Sequence, residues 1–121
     1  MLVMIMPSKK VRLIHTSDTH LGDSTGHPQS ADALRSVVDA VSHNSGDLLL
    51  LVGDVFDNER VSDDVLEWFL DQIGRLKTPA VVLPGNHDLI HETSVYHREP
   101  FKNAPDNLFV LRETEGELLS F

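Results

Sequence analysis

The chain has 121 residues, 40% of them hydrophobic, and its 10 Lys and Arg stand against 19 Asp and Glu for a formal charge of -9. A length of this order supports one core burying roughly two-thirds of the unfolded surface, which excludes two ordinary domains, so residues 1–121 are expected to form a single domain. The acidic balance describes an ordered, soluble kind of chain and excludes a polybasic arm on a phosphate backbone, unless bound cations invert the field locally; two divalent ions would bring -9 to -5.

The sequence contains no cysteine, which excludes disulfides and thiolate metal sites and agrees with the reducing cytoplasm expected as its location. The opening "MLVMIM" is apolar over only six residues, has no basic residues before it and ends at Pro7. It therefore reads as neither a signal peptide nor a membrane span.

The first predicted strand is "VRLIHT" at 11–16. Its exit, "SDTHLG", sets Asp18 and His20 two residues apart, and in an extended chain such residues point to one side, so the two can converge. Leu34, Val37, Val38 and Val41 then recur at helical spacing, with Ser30 as the N-cap and Gly46 just beyond the end. The second strand, "LLLLV" at 48–52, exits into "GDVFD". A second helix follows through Val65, Trp68, Phe69, Gln72, Ile73 and Leu76, with Ser62 before it and Asp63 and Asp64 in its first turn. The third strand, "AVVLP" at 80–84, exits into "GNHD". These three runs are short, apolar throughout and end abruptly, the pattern of strands buried on both faces. After Asp88 the reading is a loop with one helical turn, a fourth strand "NLFVL" at 107–111 and the start of a fifth, "ELLSF", at 117–121. The order predicts an α/β fold, a β-α-β-α-β parallel sheet with flanking helices and right-handed crossovers, which binds ligands outside the carboxyl ends of its strands.

Each polar exit has a structural explanation when taken alone. Asp18 can cap a turn, Gly53 and Asp54 can make a strand-end bend, and "GNHD" can be a β-turn after Pro84. Together, three strands deliver Asp, Asn and His to one edge. An oxygen and nitrogen donor set without sulfur suits Mn²⁺, iron or Zn²⁺, and the imidazole disfavours a pure Ca²⁺ site.

In this order, D-x-H, G-D-x-x-D and G-N-H-D resemble the first half of the calcineurin-like metallophosphoesterases. "HTSDTHLG" with "GDVFD" is most similar to the SbcD-like DNA repair exonuclease branch. The resemblance implies the first half of an α/β/β/α sandwich and two divalent metal ions, Mn²⁺ foremost with iron or Zn²⁺ as alternatives. It implies that Asp18 and His20 hold the first ion, that Asp54 bridges both and that Asn86 binds the second through its side-chain oxygen. Such a pair binds phosphate oxygens and generates a hydroxide for in-line attack on phosphorus. His87 would stabilise charge beside the phosphate or protonate the departing oxygen, with the Asp57 carboxylate behind the imidazole, orienting it and favouring its cationic form. Asp88 would bond within its own turn or support the neighbouring motif, and Gly53 and Gly85 would serve backbone geometry beside the metals.

The family pattern continues with a lone histidine and a G-H-x-H, and this chain contains no G-H-x-H. The expectation is the amino-terminal part of a longer enzyme, with His91 and His97 as remote substitutes. Among the other histidines, His15 reads as a wall residue, His43 as a surface residue at a helix end and His27 as a solvated loop residue.

The branch resemblance implies a phosphodiesterase acting on DNA, exonuclease-like, with an ATPase partner subunit and no membrane partner. A second reading is a small-molecule phosphodiesterase or pyrophosphatase of the same superfamily, toward which the acidic charge leans. A third is a non-catalytic binding module, with Trp68, Phe69 and Tyr96 at an interface.

Overall fold

The computed structural model describes residues 10–113 and 115–121; the opening "MLVMIM" lies outside them. Four parallel strands, β1 (Leu13–Thr16), β2 (Leu48–Val52), β3 (Ala80–Leu83) and β4 (Leu108–Val110), lie side by side in chain order. The intervening helices are α1 (Ser30–His43), α2 (Asp63–Gly74), a 3₁₀ turn at Val95–His97 and the one-turn α3 (Glu99–Lys102). In register, Ile14, Leu49, Ala80 and Leu108 align across the sheet, as do Leu13 with Leu48 and Val52 with Leu83.

Because the strand order never reverses, right-handed crossovers carry both long helices to the same side of the sheet. Leu49, Leu51, Ala80 and Val82 are accordingly buried against Leu34, Val38, Leu66, Phe69 and Ile73. The opposite face is apolar but open: Leu13 is 52% and Leu83 44% exposed. The expectation of burial on both faces is thus met on one only. A run apolar at every position shows that two faces want cover without showing what lies on each.

Ser62 caps α2 as expected, its side chain accepting from Val65 N–H. At α1 the expected cap is displaced: Ser30 is the first helical residue, Gln29 occupies the cap, and no side chain caps the end. The left-handed residue that closes α1 is Ser45, at φ 52°, rather than Gly46. Leu76, expected on the second helix, lies just past its end and is buried there. His15 faces solvent on the open side and is not a wall residue. Phe69 and Tyr96 are buried, which removes them from the interface reading, and half-buried Trp68 lies under the Arg35 guanidinium. Residues 117–121 form no strand, for Glu117 folds back and its Oε1 accepts from the backbone N–H groups of Arg112 and Glu113. Among the described residues no helix is long and apolar enough to cross a membrane.

One polar residue ties α2 to the sheet. The Asn107 side-chain amide donates to the carbonyls of Ile73 (3.1 Å), Leu76 (3.3 Å) and Thr78 (3.0 Å), and the Asn107 backbone carbonyl accepts from Ala80 N–H at 2.8 Å. The carbonyls of Leu76 and Thr78, just past the helix end, thereby find a partner. Asn107→Ala is expected to cost about 1–3 kcal/mol, seen as a lower urea midpoint at unchanged slope; an unchanged midpoint refutes the clamp.

Candidate metal centre

The three polar exits meet at the carboxyl edge of the sheet, laced by backbone hydrogen bonds. Asp18 N–H donates to Gly53 O (2.9 Å), His20 N–H to Asp54 O (3.0 Å), Leu21 N–H to Val55 O (2.8 Å) and Gly53 N–H to Leu83 O (2.6 Å). Leu21, Val55 and Phe56, the apolar letters inside the polar motifs, are buried and moor these loops to the core. Phe56 meets Phe69 edge-on at 5.1 Å and Tyr96 at 5.8 Å. These anchors carry no charge, and their sequence context alone does not set them apart from the charged letters beside them.

Asp18 and His20 do converge, with Nε2 of His20 3.9 Å from Oδ1 of Asp18, but not through a strand pleat. The strand ends at Thr16, and Asp18 (φ 56°), His20 (φ 49°) and Asp54 (φ 53°) all adopt the left-handed conformation. Outside glycine this costs about 1–3 kcal/mol per residue and survives only where surrounding structure over-determines it.

Donor atoms of Asp18, His20 and Asp54 all lie within 4.8 Å of one another. The Asp18 side chain is 64% exposed, so the cluster opens to solvent. Nδ1–H of His20 donates to Oδ1 of Asp57 at 3.1 Å, leaving Nε2 toward the carboxylates. A carboxylate behind an imidazole whose other nitrogen faces open donors is the arrangement that orients histidine ligands on metals. This donor chemistry fits a divalent cation.

Asp57 therefore differs from what the resemblance implies. Its carboxylate serves His20 and Asn58 (3.0 Å), and its backbone carbonyl, rather than its side chain, accepts from Nδ1–H of His87 at 2.9 Å. His87 N–H donates to Oδ1 of Asp54 at 2.7 Å, and its ring stands edge-on to His20 at 5.1 Å. A second cluster of donor atoms, His20, Asp57 and His87, is explained by these same hydrogen bonds. Asn86 sits exposed in the same turn, next to His87. His91 lies apart, with Nε2 3.2 Å from Glu59, and His97 is exposed on the 3₁₀ turn; neither joins a donor cluster among the described residues.

His27 is exposed, yet held. Nδ1–H donates to Oδ2 of Asp23 at 2.8 Å, and the ring stacks on His20 at 4.8 Å. The Gly26 N–H, and next the His27 bond, lower the Asp23 carboxyl to about 2. The four-residue Asp-to-His spacing was the available sequence signal.

Gly53 (φ 79°) supplies a bend that an L side chain resists, and Gly85 supplies room. A Cβ on Gly85 would lie 2.5 Å from both the N and Oδ1 of Asp54. Asp88, 2% exposed, joins the two turns: Oδ1 accepts from Gly85 N–H (2.6 Å) and Asp54 N–H (3.1 Å), while Oδ2 accepts from Val55 N–H (2.9 Å) and the Tyr96 hydroxyl (2.6 Å). It does both things expected of it, bonding within its own turn and to the neighbouring motif.

Residues 11–118 match the model of the calcineurin-like phosphoesterase family. The chain belongs to that family. A protein of Moraxella catarrhalis named "Probable cyclic nucleotide phosphodiesterase" is 30% identical over 89 residues, covering 72% of this chain and 31% of that protein. A Fibrobacter succinogenes protein named likewise is 34% identical over 86 residues, covering 69% of this chain and 33% of that protein. The chain thus spans about a third of the length of those relatives. The crystal structure of Pseudomonas putida nuclease MPE superposes with a TM-score of 0.56 at 20% identity, covering 83% of this chain and 47% of that one, which establishes a shared fold.

Two outcomes follow for this member of the family. Gly85→Ala is expected to lose about 1–3 kcal/mol by overpacking and to weaken cation binding; unchanged binding refutes the close approach. Asp23 should titrate near 2 instead of its usual 3.8 in a carboxyl NMR titration. Because the folded value is the lower one, its contribution to loop 23–27 is full above 3.8 and lost as pH falls toward about 2. A midpoint at the usual value sinks the Asp23–His27 pairing.

Proposed function

We propose that this edge is the metal-binding part of a divalent-metal phosphodiesterase whose substrate is a small phosphodiester of cyclic-nucleotide type. The observation that carries it is the convergence of Asp18, His20 and Asp54, with the His20 ring fixed from behind by Asp57. Asp18, His20 and Asp54 would hold the first cation, with Mn²⁺ the first candidate, and Asp54 with Asn86 the second. Bound divalent ions supply Lewis-acid charge to phosphate oxygens and lower the pKa of water.

The chain's own residues supply orientation and a proton. With Nδ1–H of His87 committed to the Asp57 carbonyl, Nε2 is the nitrogen left for the phosphate or the departing oxygen. To protonate that oxygen, Nε2 must carry a proton of its own, which it gives up as the ester bond breaks. The carbonyl fixes the ring without adding a full charge behind it.

Two features favour a small substrate over DNA. The sequence relatives at 30% and 34% identity bear phosphodiesterase names, and the formal charge of -9 opposes a polyanion. The nuclease at 20% identity speaks for the fold, so DNA enters as the competing substrate.

Calorimetric titration with Mn²⁺ is expected to show binding that Asp54→Asn weakens. In the presence of Mn²⁺, hydrolysis of a 3′,5′-cyclic nucleotide is expected to exceed that of single-stranded DNA, and Asp54→Asn should lower it about 10²–10³-fold, the order set by removing one electrostatic stabiliser. Absence of Mn²⁺ binding refutes the metal reading; degradation of DNA with the cyclic nucleotide untouched refutes the substrate.

A further inference from the structure

Asp88 is a buried anion whose bonded partners are all neutral. Four are backbone N–H groups, of Gly85, Asp54, Val55 and, at 3.4 Å, Phe56; the fifth is the Tyr96 hydroxyl at 2.6 Å. Dipoles rather than a counter-ion satisfy the charge, so each donor matters more than it would beside a cation. Tyr96 is the single side chain among the five, and it comes from outside all three motifs.

Tyr96 is itself held rigidly. It is 2% exposed, its ring packs edge-on against Phe101 at 5.2 Å and Phe56 at 5.8 Å, its N–H donates to Ser94 Oγ at 3.2 Å, and its carbonyl accepts from Arg112. Burial, and next the Asp88 charge, raise its hydroxyl well above the usual value, so it stays protonated and remains a donor. A carboxylate is planar and rigid: what fixes Oδ2 also aims Oδ1, the oxygen on Asp54 N–H and Gly85 N–H.

We propose that Tyr96 is a positioning residue of the phosphoesterase site, setting through Asp88 the separation of the Asp54 turn from the turn that carries Asn86 and His87. The role rests on the metal reading given above. Removing the hydroxyl leaves the ring in its aromatic cluster and frees the carboxylate to rotate, which slackens the left-handed Asp54 and the turn opposite. The fold is kept while the ligands lose their register.

The test compares wild type, Tyr96→Phe and Phe101→Leu by thermal unfolding, by Mn²⁺ calorimetry and by amide hydrogen exchange without metal. Tyr96→Phe is expected to lower the unfolding temperature no further than Phe101→Leu does, to bind Mn²⁺ about 10–100-fold more weakly, as for other groups that orient metal ligands, and to exchange faster at the Asp54 and Val55 amides. Phe101→Leu, which loosens the same aromatic cluster without touching Asp88, is expected to lower the unfolding temperature and leave Mn²⁺ affinity unchanged. Equal Mn²⁺ affinity in wild type and Tyr96→Phe, or equal losses in both variants, overturns the positioning role and leaves the metal reading intact. A wild-type chain that binds no Mn²⁺ overturns both.

Discussion

The turns after β2 and β3 approach until Gly85 and Asp54 leave no room for a single methyl group between them. Backbone this close crowds N–H dipoles pointing inward from both turns, and buried donors without an acceptor are costly. The Asp88 carboxylate resolves the crowding by accepting from both sides at once. With it in place, Asp54 holds its left-handed conformation and His87 N–H reaches the Asp54 carboxylate. Asp54, and through its carboxylate the His87 backbone, thus take their positions from that one buried anion.

A division of labour follows along each motif. In "DTHLG" the exposed Asp18 precedes the buried Leu21, and in "GDVFD" the half-buried Asp54 precedes the buried Val55 and Phe56. The strain of three left-handed residues is offset by packing a few bonds away, where Phe56 enters the aromatic cluster with Phe69, Tyr96 and Phe101. The core reaches the chemistry through these apolar letters. The same chain of contacts explains how a 3₁₀ turn at Val95–His97 bears on a site it does not touch.

The first four strands and the two long helices were legible because short apolar runs and helical periodicity are local properties, and the three metal-edge motifs were legible because each directly follows such a run. What could not be read was choice between near neighbours. Asp57 stands within reach of two imidazoles, and which takes its carboxylate and which its carbonyl is fixed by turn geometry rather than composition. The convergence of Asp18 and His20 was correctly expected from a wrong local geometry, since two left-handed residues achieve what a pleat would have done. Tyr96 left no signal, because an aromatic in an irregular loop looks alike whether it fills a core or bonds a carboxylate.

Charge constrains how such an edge can be used. Asp18, Asp54 and Asp57 surround His20 and His87, so without cations the edge repels a phosphodiester, and the formal charge of -9 adds to the repulsion. Two divalent charges would reverse the local field, so under the proposed function phosphate binding depends on cation occupancy. The open, apolar side of the sheet reaches this edge at Leu83, the last residue of β3, whereas Leu13 begins β1 at the far end. Covering it would remove water from one flank, and in a drier surrounding both the attraction to cations and the repulsion of bare phosphate grow.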